Sequence, residues 1–536
     1  MKQRKLGIFL SYLNILLQVI IGFIYVPILL HFIGKGEYGL YQLMGSLIAY
    51  FSIMDFGLSA AVIRFYAKYR ALKDSIGMEN ILAISVRGYG AVTVVALAIG
   101  FVCYGFLDVI FAGSMTVSEV NEAKQIFLLL LLNIVITLST MVFRSVINAH
   151  ERFFFLKGME TIQLVLQPIL VVLVLQRHPS AFSVAAVQTV LNLVLSGARV
   201  YYCFHALHVK IHFHYWNHEL FSEFKKLALS VFAVSLIDQV FWKTNQIILG
   251  IISGTTAVAV YSIASLIYMN YMALSTAISG VYLPHVTGMV ARKEPISNLS
   301  ELFIQIGRWQ YYLLALVATG FIIFGKQFIA LWAGPGFEDS YIITLLIILP
   351  FTVDLIQNIG LAIMQAMNRY DFRARIYFLT GVLNLLLAIP LGIKYGGIGC
   401  AVATGISMIV GNGFIMNCYY AKEIHLAIAS FWRQIGRISL VTGVCLVIGY
   451  VANVYLLPQR GIVPFVLKAA MYTVLYVAMV YAFAMNQRER EKIQGILKKI
   501  AYSLKLCLTS GEYRNMLLTD RQTDRQTDRQ TDRQTD

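Results

Sequence analysis

The chain has 536 residues, of which 58% are hydrophobic and 13% charged, with a formal net charge of +16. Soluble domains carry about 25% charged residues, so this chain lacks the polar surface to coat a water-soluble body of its size. The basic excess does not indicate nucleic acid, because no soluble basic domain exists to carry such a contact.

Read in chain order, the sequence is a succession of apolar runs. Gly7 to Leu30 has no charged residue. About 20 apolar residues cross a bilayer as a helix, and continuous rather than alternating apolarity favours helices over a β-barrel. The pattern predicts about fourteen spans, near 7–33, 39–64, 80–112, 122–148, 155–176, 181–206 and 227–252 in the first part. The rest lie near 257–289, 303–333, 340–366, 373–394, 397–421, 434–457 and 462–485. No small-residue cleavage site follows the first run, so that span is expected to stay in the mature protein. The predicted fold is all-α and polytopic.

Basic residues alternate between the connections. One side collects Lys2, Arg4 and Lys5, then Arg64, Lys68, Arg70 and Lys73, then Arg144, Arg152 and Lys157. It continues through Lys210, Lys225, Lys226, Arg292, Lys293, Arg308, Arg369, Arg373, Arg375, Lys422, Arg433 and Arg437. The other side has Lys35, Lys124, Arg177, Lys326, Lys394 and Arg460, one per loop. This is the positive-inside pattern, and it predicts that both termini are cytoplasmic.

The chain also repeats itself. Gly100-Phe101 and Gly105 return as Gly320-Phe321 and Gly325, and Tyr41 returns as Tyr261, all at an offset of 220 (320 − 100). Asn148 to Phe153 resembles Gln365 to Tyr370 at 217, and Tyr201-Tyr202 corresponds to Tyr419-Tyr420 at 218. Six spans per copy make the copies parallel, with a substrate path expected at their interface. The predicted organisation is a six-helix lobe at 1–214, a second at 215–430 and two further helices at 431–486. A cytoplasmic segment at 487–536 closes the chain, basic and amphipathic at first, then a disordered Thr-Asp-Arg-Gln repeat.

Three stretches carry a family resemblance. Gly36 to Tyr41 and Asp55 to Arg64 resemble the opening of the polysaccharide-biosynthesis (O-antigen flippase) family, and Tyr395 to Thr404 resembles its second familiar stretch. The resemblance covers nearly all of residues 1–485. It implies the fold of the multidrug/oligosaccharidyl-lipid/polysaccharide exporter superfamily. It also implies a flippase moving undecaprenyl-pyrophosphate-linked oligosaccharide across a bacterial inner membrane by alternating access, for O-antigen, capsule or exopolysaccharide. Expected partners are the lipid-linked glycan, membrane lipid, and a polysaccharide polymerase or other biosynthesis proteins. A multidrug exporter and a lipid II flippase are the rivals within the superfamily. A membrane polymerase or ligase would need a long external loop, and every external loop here is short. Many relatives carry Asp in the seventh span where this chain has Asn245, so an ion-coupling role at that position is in doubt.

A charge within a span is costly unless paired or facing water, which makes each one a candidate. Arg87 and Arg308 lie near the starts of the third and ninth spans, 221 apart (308 − 87). Duplicated lobes would put them on opposite walls of a cleft, where guanidinium groups suit a pyrophosphate; snorkelling to the interface is the alternative for both. Arg64 ends the second span inside the family-like stretch. In the seventh span Lys243 is expected to line the cleft, or else to pair with Asp238, although their spacing of five is poor for an intrahelical pair. Asp55, Asp238, Asn245 and Asp354 are the polar candidates for the cleft or for a coupling proton or sodium ion. No other cofactor and no catalytic residue are expected. No metal site is expected either: His205, His208, His212, His214 and His218 read as an interfacial linker, and the six cysteines show no CxxC spacing.

Overall fold

The computed structural model describes residues 2–216, 218–456, 461–495 and 498. Within them the protein is helical, with no strand. In order the helices are α1 (Lys2–Ala49), α2 (Leu58–Ala71), α3 (Ser75–Phe111), α4 (Val117–Ala149), α5 (Phe153–Leu175), α6 (Ala181–His205) and α7 (His218–Ala291). They continue as α8 (Ile296–Trp332), α9 (Asp339–Leu355), α10 (Asn358–Ala366), α11 (Tyr370–Met408), α12 (Met416–Lys422), α13 (Ile428–Val451) and α14 (Ile462–Met479). A 3₁₀ turn at Tyr50–Asp55 joins α1 to α2, and a π segment at Ile409–Ile415 joins α11 to α12.

The three longest helices are hairpins. Gly34, Gly254 and Gly396 interrupt them with φ of 74°, 76° and 57°, a region open to glycine at little cost. In α11, Thr404 donates to Asn384 at 3.1 Å, although 20 residues of straight helix span about 30 Å. In α7, Gln246 bonds Ser262 at 3.0 Å and Trp242 stacks on Tyr268 at 5.6 Å. Both chains therefore reverse at their glycines. Among the described residues ten helices are long and apolar enough to cross a membrane, or eleven counting α9 and α10 as one bent span, and the hairpins each count once in that number.

Helix starts follow local chemistry. Asp74 caps α3 through Gly77 N at 2.8 Å. Thr116 and Glu119 close a capping box on α4, and Ser180 caps α6 through Ser183 N. Large apolar side chains face outward: on α3, Val94, Val95, Phe101, Val102, Phe106 and Val109 are all more than half exposed. Polar side chains are turned inward instead. Asn192 bonds Asn133 and Thr137 between α6 and α4, and Ser275 is a hub for Leu355 O, Gln310 and Asn358. That inversion is the signature of a protein solvated by lipid, with polar side chains joining helices.

The duplication is visible in the backbone. The left-handed residues Gly34 and Lys73 recur as Gly254 and Lys293, 220 further on, and Glu151 and His208 recur as Asn368 and His425, 217 further on. Phe155 stacks on Tyr202 at 3.9 Å and Phe372 on Tyr419 at 3.8 Å, at interplanar angles of 12° and 10°. The offsets of 220 and 217 are thus two sets of equivalent turns, and the stacks correct the third: Tyr202 corresponds to Tyr419 at 217, one residue away from the expected match of Tyr201-Tyr202 with Tyr419-Tyr420 at 218.

The halves are tied together mostly at the end that holds Gly34 and Gly254. Lys35 donates to Gly336 O, Ser114 to Gly250 O at 2.7 Å, and Thr255 to Glu119 at 3.1 Å. Deeper in, Ser46 bonds Gln246 and Tyr50 meets Thr244 at 2.5 Å. Near the other end Phe56 touches Phe232, ring to ring at 5.0 Å. The closest approach is at Gly39, where an added Cβ would stand 1.9 Å from Thr255 O. Close backbone approach at small residues is how helices associate in lipid. Gly39→Ala should therefore cost about 1–3 kcal/mol through overpacking and lower the thermal unfolding midpoint in detergent. Gly45→Ala, with open space around its Cβ, should not.

Candidate functional site

A cavity lined by charged and amide side chains lies in the second half. It has a volume of about 450 Å³ and is walled by α7, α9, α10, α11 and the π segment. Two local irregularities build it. Pro350 sits within α9, and the chain bends by 41° between α9 and α10, which delivers Asp354 and Asn358 to the wall. The π segment delivers Asn412; such insertions recur at functional sites. Its neighbour Gly411 allows close packing, since a Cβ there would fall 2.0 Å from the Thr380 hydroxyl.

Inside, Arg373 is buried at 8% exposure. Its guanidinium donates to Asn412, lies 3.7 Å from the Asp354 carboxylate and sits 5.3 Å from the Tyr377 ring centre. Asn412, Asp354, Tyr377, Asp238 and Trp242 line the same wall around it. One carboxylate, Asp354, thus meets the guanidinium while a second, Asp238, lines the same cavity, and a carboxylate facing a cavity among apolar helices can take up a proton or a monovalent cation.

Of the residues singled out from sequence, this cavity unites Asp238 and Asp354. Arg373, read from sequence as one of three cytoplasmic-side arginines, is the cation between them. Nothing in the run Arg369, Arg373, Arg375 distinguished it, because only the packing of α9 and the π segment turns one of the three inward.

The other candidates are elsewhere. Lys243 is on the far side of α7 from Asp238, since five residues rotate a helix by about 140° from the starting face, and among the described residues it makes no ion pair. It precedes Ile247 by one turn, and Ile247 faces the seam with the first half. Asn245 is not in a cleft: its side-chain amide donates to Tyr261 and Thr404 at 2.9 Å each, joining the two hairpins α7 and α11. Asp55 accepts from Ser59 at 2.7 Å and Tyr89 at 2.6 Å, tying the start of α2 to α3. Arg64 is exposed and lies over Phe65 at 5.6 Å.

The expected pair of facing arginines is not formed. Arg87 is exposed and stacks on Phe213 of the linker at 3.9 Å. The same linker is held to α3 by Asn80, which accepts from His214 N and Tyr215 N, and by Glu79, 3.3 Å from His212 and 3.0 Å from His214. Arg308 is 6% exposed and forms a bidentate pair with Glu489, both bonds 2.7 Å, while Tyr312 bonds both partners. Asn486 and Glu489 cap each other reciprocally at 2.9 Å. The segment after α14, expected to lie on a lipid leaflet, thus begins docked against α8. The duplication predicted equivalent depth for the two arginines but not this partner, which comes from the part of the chain outside the repeats. The Thr-Asp-Arg-Gln repeat and Cys507 lie outside the described residues.

Removing one member of a buried ion pair costs about 3–5 kcal/mol, whereas replacing both by apolar groups is close to neutral. Glu489→Ala should therefore lower the unfolding midpoint sharply, and Arg308→Met with Glu489→Leu should recover most of the loss.

Comparison with known proteins agrees with this architecture. Residues 5–289 match the family model described as polysaccharide biosynthesis protein. A probable flippase, AglR, of Haloferax volcanii is 28% identical over 174 residues, covering 31% of this chain and 36% of that protein. A putative O-antigen transporter of Escherichia coli K12 is 25% identical over 191 residues, 32% of this chain and 43% of that one. The chain thus spans about two-fifths of the length of the curated relatives it matches. In fold it resembles the lipid II flippase MurJ in an inward closed conformation, with a TM-score of 0.71 at 16% identity over 89% of this chain and 98% of that one. It also resembles an inward-facing multidrug resistance MATE family transporter, with a TM-score of 0.59 at 13% identity over 78% and 95%. These relatives are named as transporters and flippases, not enzymes. A family match over more than half of its length, on a duplicated multi-pass helical fold, places this chain in the polysaccharide biosynthesis protein family.

Proposed function

We propose that the protein is a flippase for a lipid-linked glycan, turning over an undecaprenyl-pyrophosphate-linked oligosaccharide across a bacterial inner membrane by alternating access. On this reading fourteen helices cross the membrane and both termini are cytoplasmic, as the distribution of Lys and Arg supports. The observation that carries it is the lopsided seam. Two equivalent halves are bonded mainly at the Gly34 and Gly254 end, an arrangement suited to one of two alternating states. The O-antigen and flippase names of the relatives support the cargo.

The residues divide the work by location. Lys243, on the seam face of α7, is the cation for the anionic head group, because a phosphate entering between the halves needs a counter-charge there. The cavity of Asp238, Arg373 and Asp354 takes the coupling proton or sodium ion. An ion bound there would compete with Arg373 for Asp354 and so act on the packing of α9, α10 and α11, which form its wall. Polysaccharide polymerase and other biosynthesis proteins would act on the delivered glycan.

A deletion strain should lose surface polysaccharide and accumulate lipid-linked repeat units inside. Drug hypersensitivity with intact surface glycan would identify a multidrug exporter instead, and a block in peptidoglycan synthesis a lipid II flippase. In complemented cells Lys243→Met should reduce glycan export by about tenfold, the loss of one charge-assisted contact. Asp354→Asn should reduce it comparably while the protein remains at wild-type abundance; export unchanged in both variants would remove these residues from the mechanism.

A further inference from the structure

A second cavity, of about 310 Å³, opens on the opposite side of α7 from the carboxylates. Its wall is carbon almost throughout. Leu47, Phe51 and Met54 come from the α1–α2 junction, Ile99, Cys103 and Ile110 from α3, and Ile247 from α7. Tyr50 also lines it, but its hydroxyl is engaged by Thr244. Ile99 and Ile110 are 42% and 40% exposed on the helix that also carries the exposed Val94, Val95, Phe101, Val102, Phe106 and Val109, so the cavity opens beside an outward apolar face. It also straddles the seam: all of its wall belongs to the first half except Ile247. Lys243 lies one turn before Ile247 on α7 and outside the lining of the slot, so the cation stands beyond its end and not in its wall.

An apolar slot opening beside an outward apolar face, with a cation beyond its end, matches one chemical pattern, a long hydrocarbon chain carrying a phosphate. We infer that this cavity holds the carrier-proximal part of the polyprenyl chain, with the adjoining phosphate at Lys243. The assignment rests on the flippase reading for its choice of polyprenyl over phospholipid chains. It places the tail against the surface that must separate when the halves rock, so the carrier itself would report its presence to the seam through Ile247 and Tyr50. Transfer of apolar surface out of water does not drive this binding, because the chain comes from lipid. Shape, dispersion contacts and the Lys243 charge supply its selectivity.

The test uses the full chain in phosphatidylethanolamine vesicles and a polyprenyl phosphate with a diazirine in its chain. Photolysis should attach the probe to peptides containing Leu47–Met54 and Ile99–Ile110, read by mass spectrometry. Unlabelled polyprenyl phosphate should suppress the adducts, and the same excess of phosphatidylglycerol should not. Cys103→Trp, which fills the slot, should abolish labelling there, while Cys103→Ser keeps it. Lys243→Ala should weaken competition by polyprenyl phosphate about tenfold and leave competition by neutral polyprenol unchanged. Equal competition by phosphatidylglycerol, adducts confined to other helices, or full labelling of Cys103→Trp would each overturn the inference. Translocation of lipid-linked glycan by the same vesicles separates the two claims. Labelling without translocation defeats the flippase reading, and translocation without labelling of these peptides defeats the tail site alone.

Discussion

In hydrocarbon, a backbone or side-chain polar group has only the protein itself for a partner, and this constraint sets where polar side chains of the helices point. At Gly34, Gly254 and Gly396 a left-handed residue reverses the chain. Within the resulting hairpins, side chains reach across: Gln246 to Ser262, Asn245 to Tyr261 and Thr404 to Asn384. At Gly254 and Gly396 the reversal brings two polar-bearing helix faces into register.

The same rule separates structural polarity from functional polarity. Asn245, Asn192 and Ser275 spend their donors between helices, and their role is to hold those helices in place. Arg308 and Glu489 satisfy one another so fully that their pairing is an anchor for the segment following α14. Asp238, Asp354 and Arg373 differ because they surround a cavity. There the guanidinium is divided between an amide and a carboxylate at 3.7 Å, a looser arrangement than the 2.7 Å contacts at Glu489.

Duplication then gives the molecule two similar bodies with dissimilar equipment. The turn residues and the Phe–Tyr stacks recur almost unchanged between halves, so the scaffold is common. The polar cavity belongs to the second half and the apolar one to the wall of the first, with α7 between them. Asp238 and Ile247 therefore line different cavities from opposite faces of one helix.

Long apolar runs, the alternation of basic loops and the 220-to-217 repeat all express local or periodic constraints, and each was legible in the residues themselves. Lipid demands uninterrupted apolar helices, and a copied fold keeps its glycine turns. Charged residues inside spans were equally visible, and Asp238 and Asp354 were found on that ground. Their partners were not. Whether an arginine is exposed, as Arg64 is, or buried, as Arg308 and Arg373 are, depends on which distant carboxylate meets it. Glu489 is 181 residues from Arg308, and no periodicity connects them. By itself the sequence determined the class of fold, its duplication and its solvent. The tertiary structure alone decided which charges are spent on holding helices together and which face a cavity, because that depends on long-range packing between helices whose surfaces look alike in one dimension.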